Sequence, residues 1–175
     1  MGKNIKYILW IITAFLVQVL ISEYVNVWPM LYIAIYPLFL LILPVNMNTA
    51  VYMLIAFAFG LGIDSLSDGI LGLNAAACVA MAYFRAPVMG GLLKRSTIEN
   101  MNEINSKELK MKRFIFLTLF MYSIFFLVYI TLDNLWSPPS LFILVRLVIN
   151  ITVNVLLAFV IETTLISRFI IKYRG

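Results

Sequence analysis

The sequence predicts an all-α, polytopic integral membrane protein, with six transmembrane helices folded as one domain over residues 1–175. Composition is the first reason. Hydrophobic residues make up 63% of the chain and charged residues 12%, with a mean hydropathy of +1.02; a soluble domain carries about twice that charge. Segmentation is the second: apolar runs near the roughly 20 residues that cross a bilayer alternate with short polar turns. Charge asymmetry is the third. With both termini cytoplasmic, the inner side collects Lys3, Lys6, Lys94, Arg95, Lys107, Lys110, Lys112, Arg113, Arg168, Lys172 and Arg174. The outer turns hold Glu23, Asp64, Asp68 and Asp133, and no Lys or Arg. Such a bias orients membrane proteins and here requires an even number of spans. The net charge of +5 therefore points to topology and anionic lipid, and not to nucleic acid.

A short basic start precedes the first apolar run, residues 7–22. No small-x-small cleavage site follows it, which predicts an uncleaved helix. Lys6 stands where N-myristoylation needs Ser or Thr. The second run opens at Trp28 and Pro29 and reaches about Val45, with Pro37 in its middle and Pro44 near its end. Proline there marks either a kinked helix or a broken segment facing a cavity, and a kink is the plainer expectation. After the uncharged turn 46–48, a third helix is expected over 49–63 and a fourth over 70–93.

Residues 94–113 then change character, with six Lys or Arg and three Glu. The spacing allows a solvated topogenic loop held at the lipid surface by its charges. It also allows a docking surface for a cytoplasmic partner, with Glu99, Glu103, Glu108 and Lys107, Lys110, Lys112 on a short helix. A solvated loop is the simpler reading. The fifth helix follows at 114–132 and a turn at 133–140. The last run, 141–171, exceeds what a perpendicular span needs, so it tilts or protrudes.

The stretch around which the chain is organised is 57–83, where two apolar segments meet at an acidic hairpin. Gly60, Gly62, Gly72 and Ala75-Ala76-Ala77 would let helix backbones approach closely, as lipid-embedded helices require. Asp64 and Asp68 are four apart and would share a face of a prolonged helix, enough for a divalent cation or acid–base chemistry. Gly69 and the interleaved serines favour a solvated turn instead.

Three ionisable residues remain inside spans: Arg85, Arg146 and Glu162. Intramembrane charges face the bundle interior and seek partners. A rise of about 1.5 Å per residue puts Arg85 and Glu162 at similar depth, so they are expected to pair, unless Arg85 snorkels to the inner water. Arg146, near the outer side, is expected to reach Asp64, Asp68 or Asp133.

The chain has no His, which excludes imidazole-based hydrolysis and His-ligated metals. Its single cysteine, Cys78, permits no internal disulfide. No Lys-Ser or Lys-Thr follows the glycines at phosphate-loop spacing. The expectation is a non-enzyme without cofactor or metal.

Three ordered blocks carry a family resemblance: Tyr36-Pro37-Leu38-Phe39-Leu40-Leu41-Ile42-Leu43-Pro44, Phe59-Gly60-Leu61-Gly62-Ile63-Asp64 and Gly72-Leu73-Asn74-Ala75-Ala76-Ala77, continued by Ala82-Tyr83-Phe84-Arg85-Ala86-Pro87. Together they resemble the rod shape-determining protein MreD family, in its Bacteroidetes-like form, over about residues 29–95. The resemblance implies a bacterial inner (cytoplasmic) membrane location and a place in the elongasome, which inserts side-wall peptidoglycan and maintains rod cell shape. It implies binding to the bitopic protein MreC. Through MreC it implies a link to a RodA-type glycosyltransferase and its class B penicillin-binding partner, guided by MreB filaments. It also implies a fold like the S components of energy-coupling-factor transporters. One departure stands out: many members of that family carry an acidic residue after the helix-two proline or basic residues in the next turn. This chain has Leu38 and the uncharged turn 46–48.

Two functions from different classes follow. The first is a non-catalytic scaffold that packs a single-span partner around Gly60, Gly62 and Gly72, with Asp64, Asp68, Asn74 and Arg85 as polar candidates. The second is a small-molecule-binding, S-component-like subunit of a vitamin or metabolite transporter. Its pocket would draw on Asn74, Asn134, Arg146, Asn150 and Asn154.

Overall fold

The computed structural model describes residues 3–24, 30–66, 70–101, 104, 109–135 and 140–166. Uninterrupted apolar runs satisfy their backbone polar groups internally only as helices, which is the one open-chain solution in lipid. The runs become α1 (Lys3–Tyr24), α2 (Tyr36–Ile42), α3 (Thr49–Leu66), α4 (Leu73–Leu92), α5 (Arg95–Asn100), α6 (Met111–Asp133) and α7 (Leu141–Ile161). A π-helical turn, Glu162–Ile166, continues α7. Among the described residues, four helices are long and apolar enough to cross a membrane: α3, α4, α6, and α7 with its extension to Thr164. The chain is therefore a predominantly helical protein of multi-pass membrane character.

Helix α4 is the centre of the bundle. It packs on α3 and on α6, α6 carries α7, and α1 lies against α2 and α3. The α3–α4 approach is close because the facing residues are small. A Cβ built on Gly60 would lie 2.5 Å from the Ala75 Cα. Aromatic rings fill the wider space between α2, α3 and α6. Tyr36 meets Phe59 at 5.7 Å and the edge of Phe125 at 5.6 Å, and Phe125 meets Phe126 edge-on at 5.1 Å. Outward faces are apolar too. Leu54, Phe116, Leu141, Val148 and Leu156 are all exposed, as a hydrocarbon solvent allows and water disfavours.

Two sequence expectations change. The second apolar run is not a kinked helix. Its first half is extended over residues 32–34, Ile35 already has helical φ and ψ as the cap of α2, and only Tyr36–Ile42 is a helix. Pro37 lies in the first turn of α2, where its missing N–H and fixed φ favour a helix start, so it begins the helix instead of bending one. Nor is the basic loop simply solvated. Within the 94–113 stretch, α5 is followed by Met101, Ile104 and Leu109, all buried in the same core cluster as Leu93 and Phe114. These side chains fasten the loop to one end of the bundle. Trp28, Pro29, Glu103, Lys107, Glu108, Trp136, Pro138, Pro139, Arg168, Lys172 and Arg174 lie outside the described residues.

Candidate functional site

The most demanding backbone in the structure is the extended segment before α2. Extended backbone at membrane depth leaves N–H and C=O groups that lipid cannot satisfy, so it survives only where protein supplies partners. On one side α7 supplies them through two asparagines. Asn150 Oδ1 accepts the Tyr32 N–H at 2.7 Å, and Asn150 Nδ2 donates to the Met30 carbonyl at 2.7 Å. One turn on, Asn154 Oδ1 accepts the Ala34 N–H at 2.7 Å, and its Nδ2 donates to the Tyr32 carbonyl at 2.8 Å. Each side-chain amide thus acts as a neighbouring strand would. The registers match: four residues of helix rise about 6 Å, and two residues of strand about 6.6 Å.

The opposite edge belongs to α1. Gln18 Nε2 donates to the Ile33 carbonyl at 2.9 Å, and Gln18 Oε1 accepts the Ile35 N–H at 2.9 Å. Even-numbered residues face α7 and odd-numbered ones α1, the alternation of a strand. Tyr122 of α6 adds a hydroxyl donated to the Ala34 carbonyl at 3.1 Å. Three helices, α1, α6 and α7, therefore hold a six-residue stretch as if in a sheet.

A second network joins this segment to the α3–α4 hairpin. Asp64 sits in the last turn of α3, and its buried carboxylate accepts the N–H groups of Gly72, Asn74 and Ala75 at 3.0, 3.0 and 3.1 Å. These are the unsatisfied donors of the α4 N-terminus, whose dipole favours a negative charge there. The Asn74 amide also donates to Asp64 at 2.8 Å. Asn74 Oδ1 in turn accepts the hydroxyls of Tyr36 at 2.6 Å and Tyr32 at 3.1 Å. Asp64 is thus a buried cap and not the solvated turn residue expected. Asp68 lies outside the described residues.

The three intramembrane charges follow expectation only in part. Arg85 does not take Glu162 as its partner. Its guanidinium donates to the carbonyls of Leu41 at 3.1 Å, Leu43 at 2.5 Å and Pro44 at 3.2 Å, and lies 4.5 Å over the Tyr52 ring. It closes the C-terminal end of α2, where carbonyls lack intrahelical donors and Pro44 supplies none. Tyr52 reinforces this end by donating to the Leu40 carbonyl at 2.9 Å. Glu162 is buried at the start of the π-helical turn. Arg146 reaches one of its three expected partners, pairing with Asp133 at 2.5 Å.

The glycines serve three different purposes. Gly60 is the α3–α4 contact. A Cβ on Gly62 would meet the Phe15 ring at 2.9 Å, so Gly62 seats α1. Gly72 has φ of +92° with open space around it, which reflects the turn and not a packed face. The faces of Gly60 and Gly62 are thus occupied within the chain, where a single-span partner was expected.

Gln18, Tyr32, Tyr52 and Tyr122 did not stand out in the sequence as site residues. A lone amide in an apolar run was the available signal for Gln18; the tyrosines carried none. Comparison of the chain with family models, curated proteins and solved structures finds no match.

Proposed function

We propose that this chain is a non-catalytic scaffold of the cell-wall elongation machinery, of the MreD kind. In this reading it crosses the bacterial inner membrane six times with both termini cytoplasmic. It binds an MreC-like bitopic protein and, through it, a RodA-type glycosyltransferase, a class B penicillin-binding protein and MreB filaments. Helix α1, at 22 residues, makes the first crossing. The second is composite: three extended residues and eight with helical backbone cover about 22 Å, close to the hydrocarbon core once flanking residues are added.

The observation that carries the reading is the commitment of the interior polar groups. A carrier needs converging polar groups left open to its ligand. Asn150 and Asn154 hold the extended segment, Asn74 joins Asp64 to two tyrosines, Asn134 donates to the Ile130 carbonyl, and Arg146 pairs with Asp133. Every side chain proposed for a carrier pocket is engaged in building the fold. The residues of the MreD resemblance form the same construction: Gly60 against Ala75, Asp64 on Gly72 and Asn74, Tyr36 on Asn74. Because the Gly60 and Gly62 faces are occupied, the partner surface is assigned to the outward apolar faces.

The test is gentle extraction of the tagged chain from native membranes, with co-purifying proteins identified by mass spectrometry. An MreC-like bitopic protein with synthase components is the expected result. Paired ATPases with a second membrane subunit would overturn the scaffold in favour of an S-component-like carrier.

A further inference from the structure

We propose that the end of the bundle formed by α5 and the start of α6 is a binding surface for the headgroups of anionic glycerophospholipids. Lys94, Arg95, Lys110, Lys112 and Arg113 are all exposed there. The exposed acid among the described residues of this stretch, Glu99, is paired with Arg95 at 2.9 Å. The cations are not on a free tether. Leu93, Met101, Ile104, Leu109 and Phe114 are buried in one core cluster, which fixes both ends of the basic stretch to the bundle.

The density of charge is greatest at α6. Lys110 precedes the helix, Lys112 and Arg113 lie in its first turn, and that turn carries no acidic residue. This opposes the helix dipole, which already makes an N-terminus positive, so the arrangement is unfavourable unless an anion sits over it.

What selects lipid over a soluble anion is the next turn. Directly after the cations, Ile115, Phe116 and Phe120 are exposed on the same helix. A charged band giving way within one turn to an exposed apolar band is the profile of the headgroup–acyl boundary. A phosphate bound at Lys110, Lys112 and Arg113 would have its acyl chains along Phe116 and Phe120. The surface is thus complementary to both halves of one molecule. It rests on the membrane-spanning reading of α6, but on no protein partner.

The test uses the purified full-length chain in mild detergent. Phosphatidylglycerol, phosphatidylcholine or inorganic phosphate is titrated in, and thermal stability and native mass spectrometry report binding. Phosphatidylglycerol is expected to bind and stabilise, with apparent affinity falling as salt is raised. The variant Lys110→Gln/Lys112→Gln/Arg113→Gln should lose about fivefold per cation, roughly a hundredfold in all. The charge-preserving Lys110→Arg/Lys112→Arg/Arg113→Lys should keep the wild-type affinity. Equal binding of phosphatidylcholine, displacement by millimolar inorganic phosphate, or a salt-independent affinity would each overturn the proposal, and none of the three needs a variant. Because no other protein is present, this outcome is independent of the co-purification result.

Discussion

Replacing Asn154 by Leu isolates the physics of the extended segment. The two side chains share their heavy-atom count and branching, so the shape is nearly conserved, with leucine the bulkier, while one amide is removed. The change strands the Ala34 N–H and the Tyr32 carbonyl, which Asn154 holds at 2.7 and 2.8 Å. An orphaned buried backbone group costs about 1–3 kcal/mol, so the sum is about 2–6 kcal/mol. Side-chain hydrogen bonds measured in bilayers are weaker, about 0.6 kcal/mol on average, because the unfolded chain in the membrane finds other partners. Here that reference state is available: residues 32–34 can become helical when released. The lower part of the range, about 2–3 kcal/mol, is therefore expected. The assay is reversible unfolding in mixed micelles by titration with a denaturing detergent. Thr152→Val on the same helix is the control, since the exposed Thr152 hydroxyl bonds only the Val148 carbonyl of its own helix. Asn150→Leu should resemble Asn154→Leu. The double variant should cost less than the sum of the two, because both asparagines bond Tyr32 and the segment detaches once. If Asn154→Leu is no less stable than Thr152→Val, the side-chain sheet is not what holds this segment.

Two further outcomes follow from the hairpin. Asp64→Ala removes the acceptor of three backbone N–H groups and should cost about 3 kcal/mol or more in the same titration, against a smaller loss for Asp64→Asn; equal, small losses would show that α4 needs no cap. Gly60→Leu should separate α3 from α4 because the obstruction is the Ala75 backbone and not a movable side chain, giving a loss above about 3 kcal/mol, whereas a leucine at exposed Gly90 should change stability by less than about 1 kcal/mol. A cysteine pair placed across the two helices and cross-linked in membranes would report the separation directly.

How much of this was legible in the sequence varies by residue. That 150 and 154 share a helical face follows from their spacing. What the face holds does not, since Tyr32 and Ala34 lie 118 and 120 positions away along the chain. Arg85 and Glu162 illustrate the same limit. Depth follows from the rise per residue, but direction around the axis depends on neighbours, and the Arg85 guanidinium turned toward α2 carbonyls. Asp64 was misread because a carboxylate beside glycine and serine has the local chemistry of a solvated turn. Only the folding-back of Gly72, Asn74 and Ala75 makes it a cap. Pro37 was ambiguous for a related reason: proline disrupts a helix it interrupts and favours one it begins.

The sequence by itself determined what depends on summed hydrophobicity: long apolar helices, short polar turns and one strongly basic stretch. Those properties are additive along the chain, and lipid rewards them wherever the runs finally pack. The tertiary structure alone decided where the second run stops being a helix, which amides replace its lost hydrogen bonds, and which glycines bury themselves against a neighbour. Each of those is a pairing between residues distant in the chain. In a medium without water to satisfy leftover polar groups, it is these pairings that determine where non-helical backbone can persist.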